Sequence, residues 1–275
     1  MLSTLRSRRW VGALTLATLF AVVAVLLGNW QLSRHQDKVE RRDIVTSNYD
    51  AAPVPVGEVL ASPQEALEAP QEWTMVRATG RYATQDQLLV RNRPYRGVYG
   101  YEVLVPLIVE SDATGGGGAG QARSTLVVDR GWVPNAENAA TLPQVPEPPS
   151  GEVEVTGWLR SPEEDLQRDL PAGQVASINL SAVQEAIGRD TLQSYLVLES
   201  ESPPPTERPA PADPPDLAVG VHFAYALQWW LTAPVGLVLV LVMARREHRE
   251  ATSGAASLPT GRRAPKRRIW DEEDA

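Results

Sequence analysis

Two uncharged apolar stretches, one near each end of the chain, set the terms for everything this sequence can become. Trp10 to Leu27 (WVGALTLATLFAVVAVLL) is 18 residues without a charge, and a helix of that length, at about 1.5 Å per residue, is close to the hydrocarbon thickness of a bilayer. It reads as a transmembrane helix. The rival is a cleaved signal peptide led by Arg6, Arg8 and Arg9, but the apolar core is long and no A-x-A site follows it. Phe223 to Ala244 is a second such run, 22 residues long, with Pro234 at its middle. Proline has no N–H to give the carbonyl of Trp230, so a kink is expected there.

Flanking Lys and Arg orient the pair. Basic residues lie on both sides of the first span, which leaves it ambiguous by itself. Only Arg208 lies in the twenty residues before the second, whereas Arg245, Arg246 and Arg249 follow at once and five more Lys or Arg come later. The predicted layout is a cytoplasmic N-terminus over 1–9, a span over 10–27, an extracytoplasmic domain over 28–199, a Pro-rich linker over 200–221, a second span over 222–244 and a disordered cytoplasmic tail over 245–275. Both termini then face the cytoplasm. Between the spans, 15 basic and 28 acidic residues leave a charge of about −13, which argues against nucleic acid as a partner.

The intervening segment is long enough for one packed core. Asn29 to Asn48, polar and free of Gly and Pro, prolongs the first helix. Then come short stretches rich in Val, Leu, Thr and Tyr: 73–82, 87–92, 99–109, 124–129, 152–159 and 194–198, partly alternating and separated by Gly and Pro. Ser181 to Ile187 reads as a helix, with Ser181 as N-cap and Gln184 in capping-box spacing. Thr114 to Gly120 is a glycine tract that suits a mobile hairpin tip, and Ser200 to Pro215 reads as an extended polyproline connection. The fold class is therefore membrane α+β: two transmembrane helices flanking a β-rich domain, an antiparallel sheet or an open barrel, with sandwich and barrel undecided.

Composition limits the chemistry. There is no cysteine, and the chain has only three histidines (His35, His222, His248) and three methionines. Thiolate metal sites, c-type haem attachment and disulfides are excluded, and copper carriage is disfavoured. The segment between the spans holds no histidine beyond His35, so no Ser-His-Asp or Cys-His arrangement is available there, and there is no P-loop or dinucleotide fingerprint. Glu163, Glu164 and Asp165 fall in a loop and read as a solvated turn. The chain reads as a non-enzyme.

On the second helix His222, Tyr225, Ala226 and Trp229 stand at i, i+3, i+4 and i+7, hence on one face. Two readings fit: an interfacial aromatic belt, or the wall of a pocket in which a neutral imidazole is an axial haem ligand. Trp229 lies about 10 Å deeper than His222 on an ideal helix, which suits the pocket better. After the first span Trp30, Arg34 and Lys38 share one helical face, with His35 on the neighbouring face. They fit a headgroup collar, or an anion clamp in which Arg34 pairs with carboxylates of a bound group. Arg130 and Trp132, where a β-like run meets glycine and proline, read as a structural arginine and a packed tryptophan.

The ordered set Leu27, Gly28, Trp30, Gln31 and Arg34; Gly80; Asn92, Arg93, Gly97, Gly100, Pro106 and Leu107; Arg130, Gly131, Trp132, Val133 and Pro134; Gly157; then His222, Tyr225, Ala226 and Trp229 resembles the Surfeit locus protein 1 family of cytochrome c oxidase assembly factors. The resemblance implies a chaperone of oxidase subunit I maturation that works with other assembly factors, and, from bacterial relatives, transient binding of haem a. It carries the haem-ligand suggestion onto His222; in that reading Tyr225 and Trp229 are the walls, Arg34 is the propionate partner and Trp30 is a further cofactor-binding residue beside it. The alternative within the family is a haem-free scaffold that grips oxidase subunits through the β-domain. With no organelle-targeting segment ahead of the first span, the expected location is a bacterial plasma membrane.

Overall fold

The computed structural model describes residues 6–60, 62–109, 124–136 and 141–256; the glycine tract and most of the basic-acidic tail lie outside them. The chain divides into two compact units, residues 1–37 with 219–275, and residues 38–218.

The first unit holds the apolar helices. Helix α1, Arg8–Tyr49, runs uninterrupted for 42 residues, so the polar segment after the first span does prolong it. Two helices, long and apolar enough to cross a bilayer, bracket the chain, and the protein is a membrane protein with two spans.

In the second unit the end of α1 is held by its last turn. Asn48 donates to the carbonyls of Pro70 and Glu72 at 2.8 and 2.9 Å, and Tyr49 stacks on Trp158 with ring centroids 4.3 Å apart. Strand β1 (Val54–Pro55) leads into the one-turn helix α2 (Val56–Val59). Strands β2 (Met75–Tyr82), β3 (Leu88–Tyr95), β4 (Val98–Val109), β5 (Ser124–Pro134), β6 (Val153–Arg160) and β7 (Gln174–Val175) follow, then helix α3 (Leu180–Ile187) and strand β8 (Tyr195–Ser202).

The sheet order is β1-β2-β6-β8-β5-β4-β3-β7, and an additional β2–β4 pairing closes β2, β6, β8, β5 and β4 into a ring. Gly80, Arg81 and Tyr82 pair with Val109, Ile108 and Leu107 at the closure. The domain is thus a small closed barrel, which settles the choice between sandwich and barrel. Pairs β5–β8, β1–β2 and β3–β7 are parallel, so the sheet is mixed rather than purely antiparallel.

The side-chain alternation of strands explains how the apolar core divides, with Leu89, Tyr101, Val103, Val105 and Val133 forming the smallest of three clusters. Leu126, Val128, Leu107, Val76, Val155, Leu159 and Leu196 form one cluster. The alternate residues Val127, Val197, Leu104 and Val90 form a second with Ile178, Leu180 and Val183 from α3 and the segment before it. Strands covered on both faces read as continuous apolar runs, which is why STLVV and YLVL show so little alternation.

Several expectations need correction. The N-cap of α3 is Asn179, whose side chain accepts from the Ala182 N–H at 3.1 Å, not Ser181; Asn competes as well as Ser for that position. Gln184 faces Thr191 at 3.0 Å rather than closing a capping box. Strand β5 does not stop at Asp129 but continues to Pro134, passing through Gly131 at φ +117°. Strand β8 reaches Ser202, and in the Pro-rich segment beyond it Ala210 exchanges two backbone hydrogen bonds of 2.8 Å with Trp132. That segment is latched to the barrel, not free. The second apolar run is broken at its proline into α4 (His222–Thr232) and α5 (Val235–Ala256). Helix α5 therefore carries residues 245–256 of the expected disordered tail.

Candidate functional site

Small residues set the contact between α1 and the second span. Buried Ala17, Ala24 and Gly28 lie on one face of α1, continued by half-buried Gln31 and His35. Their spacings of seven, four, three and four are those of a helix–helix seam. The facing residues Ala226 and Ala233 are buried in turn. A methyl group at Gly28 would run into the Trp230 indole, and one at Gly236 would sit 3.6 Å from the Ala17 Cβ. The two spans thus pack antiparallel, and the close approach depends on residues that lack bulk.

At one end of that seam His222, the first residue of α4, meets Gln31: His222 Nδ1 and Gln31 Oε1 are 2.8 Å apart. An amide oxygen only accepts, so in this pairing a neutral ring has its proton on Nδ1 and its lone pair on Nε2. One turn further along α1, the His35 ring packs against Phe223 with centroids 5.4 Å apart, and its Nδ1 is buried without a partner. His35 therefore belongs to the seam itself, beside Gln31.

The other expected residues are arranged less tightly. Trp30 and Tyr225 are about half exposed, at 53% and 47%. Trp229 is half-buried, and Arg34 is exposed. Arg34 is absent from the ion pairs formed among the described residues. The structure brings His222 together with Gln31, His35 and Phe223; it leaves Trp30, Arg34 and Tyr225 on outward surfaces.

The family resemblance implies a haem, and a His222 that donates Nδ1–H to Gln31 would have Nε2 available to ligate it. A ligating histidine commonly donates its second ring N–H to an oxygen acceptor, which fixes the tautomer, and the Gln31 contact supplies that acceptor. His222 would be the ligand, and the exposed guanidinium of Arg34 has its donors free for carboxylates.

Sequence reasoning missed the buried charges of the barrel. Arg130 and Glu201 are paired at 2.7 Å with side-chain exposures of 0% and 4%. Tyr82 donates to Glu201 at 2.8 Å, and Arg130 donates to the Pro146 carbonyl at 3.0 Å. The structural reading of Arg130 is correct, but its partner lay 71 residues away. A second cluster gathers on Arg93, which pairs with Glu102 at 2.8 Å and with Glu163. Glu163 also accepts from the Ile178 N–H at 2.8 Å, so it is a structural carboxylate and not a solvated turn. Burial pushes the carboxyl of Glu102 well up, with Asp129 adding to the effect and Arg93 opposing it. Burial likewise raises Asp129, offset by the Gly131 N–H at 3.0 Å. Three carboxylates around one half-buried guanidinium favour retention of a proton.

Comparison with known proteins places this arrangement. Uncharacterised SURF1-like proteins of Mycobacterium bovis and of two Mycobacterium tuberculosis strains are each 29% identical to the chain over 239 residues, covering 84% of it and 82% of their own length. The model of the SURF1 family matches residues 18–233, from within the first span to α4. Two apolar spans, a β-barrel between them and a match of that extent lead to one conclusion: the chain belongs to the SURF1 family, a family associated with cytochrome c oxidase assembly.

Proposed function

We propose that this protein is a cytochrome c oxidase assembly factor that holds haem a transiently at the extracytoplasmic end of its helix pair and passes it to subunit I. The observation that carries the reading is the His222–Gln31 contact of 2.8 Å at the end of a membrane-helix seam, which engages Nδ1 and not Nε2 of the histidine. In this reading His222 ligates the cargo iron, Tyr225, Trp229 and Trp30 offer aromatic surface to the macrocycle, and Arg34 pairs with its propionates. A single imidazole ligand suits a carrier that must release what it holds. No step of bond-making beyond ligation is required, in keeping with a family of assembly factors rather than enzymes. The exposed Arg245, Arg246 and Arg249 after the second span support a cytoplasmic C-terminus in a bacterial plasma membrane.

A haem-free scaffold is the second reading. It is favoured by the hairpin tip between β3 and β4, where Val98 and Tyr99 are 55% and 62% exposed next to a turn with Arg96 at φ 48° and Gly97 at φ 84°. A rigid turn displaying apolar side chains suits capture of an oxidase subunit or another assembly factor. Purification from cells that make haem a separates the two. The wild-type protein should show a Soret band that His222→Ala loses while remaining folded by circular dichroism; colourless wild type would refute the carrier and leave the scaffold.

A further inference from the structure

Among the described residues, the His222 ring has one hydrogen-bond partner, a side chain on the other span. Gln31 Oε1 lies 2.8 Å from His222 Nδ1, and Gln31 makes no other side-chain hydrogen bond among the described residues. The surrounding residues make the approach possible. Gly28, three residues before Gln31, has no Cβ, and Trp230 lies across it. Ala226, four residues after His222 and on its face, is fully buried. Small residues on both helices thus bring the backbones close enough for a short amide to span the seam. His35 against Phe223 at 5.4 Å closes the side one turn beyond.

Free neutral histidine exchanges between its two tautomers, and the one that prevails in water carries the proton on Nε2. That form presents an N–H, not a lone pair, at the outer nitrogen. A fixed acceptor at Nδ1 reverses the preference, because the N–H must point where the oxygen is. We infer that Gln31 is the positioning residue of the site: it holds His222 in the Nδ1–H tautomer and in one ring orientation, so that Nε2 is ready to ligate only while the two spans are paired. The significance of that lone pair for haem rests on the carrier reading above; the tautomer assignment does not. The consequence is mechanical. Parting the helices removes the acceptor, the ring is freed, and the ligand's hold on its cargo weakens without any change at His222 itself.

The test uses the full chain in detergent, labelled with ¹⁵N-histidine and held near pH 8.5 so that an ordinary histidine, with a pKa of about 6.5, is neutral. The three histidines are assigned with His35→Gln and His248→Gln. Long-range ¹H–¹⁵N correlation should report the Nδ1–H tautomer for His222 in wild type and a shift toward Nε2–H in Gln31→Leu. Gln31→Glu, which keeps an acceptor oxygen, should retain Nδ1–H. A wild-type His222 in the Nε2–H form, or one indifferent to Gln31→Leu, overturns the inference whatever haem does. A haemin titration forms the second arm, in which Gln31→Leu should weaken binding about 10–100-fold with Gln31→Glu close to wild type. Resonance Raman of the reduced complex should place the iron–histidine stretch higher in Gln31→Glu than in Gln31→Leu. Wild type that binds haemin through His222 with affinity and stretch unaltered by either substitution also overturns the positioning role. Wild type that binds no haemin overturns the carrier reading alone, and the ¹⁵N arm still decides the tautomer.

Discussion

The helix pair and the barrel are held together by opposite means. Among the described residues of the helix pair the buried side chains are mostly small, Ala17, Ala24, Ala226, Ala233 and Ala244 beside Gly28, with Trp10 near one end, and the His222–Gln31 hydrogen bond spans the seam. The barrel buries Leu104, Leu107, Leu126, Leu159 and Leu196 and sequesters an Arg–Glu pair almost completely. In lipid, burying apolar bulk between helices brings little gain because the tails are equally apolar, so close backbone approach and a few polar contacts decide the pairing. In water the gain from apolar burial is large, about 1.5–3 kcal/mol for each Val or Leu side chain, enough to carry charged groups into the interior. A polar contact is therefore a structural detail in the barrel and a functional candidate in the seam.

That contrast breaks first in the barrel. Arg130→Ala leaves Glu201 buried without its counter-charge, and the loss should be about 3–5 kcal/mol, read as a lower urea midpoint of β-sheet ellipticity in detergent. If the midpoint holds, the buried pair is not what stabilises this unit. Gly131→Ala comes next. Gly131 sits at φ +117°, and a methyl there would meet the Ala210 carbonyl oxygen, so the substitution should cost about 1–3 kcal/mol of backbone strain and release the latched Pro-rich segment. Faster proteolysis between Pro203 and Pro215 with the rest of the barrel intact is the expected pattern.

In the seam, bulk rather than charge should do the damage. The chain has no cysteine, so Ala17→Cys with Gly236→Cys is a clean reporter: the 3.6 Å separation of the two Cβ positions lies within disulfide range, about 3.5–4.5 Å, and oxidation should join the spans. Adding Gly28→Leu should lower that yield roughly tenfold, the equivalent of about 1–3 kcal/mol of overpacking. Undiminished crosslinking would show that the seam does not depend on its small residues.

The smallest effect concerns pH. Glu102 has its folded-state pKa raised from 4.5 to about 8, so the folded state holds a proton that the unfolded chain has released. Its contribution is complete below pH 4.5 and is lost as pH rises through about 8. The midpoint for thermal unfolding of the barrel should fall by a few degrees between pH 5 and 8.5, and Glu102→Gln should flatten the fall by about half, with Asp129 responsible for part of the rest. A midpoint that rises over this range would contradict the assignment.

Much of the fold could be read from residues alone, and particular elements show why. The spans and the prolonged α1 depend on hydropathy and helix propensity over long windows, which tertiary contacts do not override. Most strand positions were legible because Val, Leu, Thr and Tyr cluster between Gly and Pro. The two-residue strands β1 and β7 were not, since a pairing of that length has no local signal. Asn179 lost to Ser181 in the reading because adjacent capping residues are distinguished only by where the chain turns. Of the site, His222 and its helical face were visible through their spacing. The roles of Gln31 and His35 were not, because their orientation is defined by the opposite helix.

What this sequence determined by itself is the arrangement dictated by solvent: two stretches that belong in hydrocarbon, an acidic β-rich segment between them, and a metal-ligand inventory reduced to three histidines. Barrel closure through β2 and β4, the burial of Arg130 against Glu201 and the seating of Gln31 on His222 were decided by tertiary structure. Each joins residues far apart in the chain, and the free energy of such a contact exists only after the intervening segments have packed.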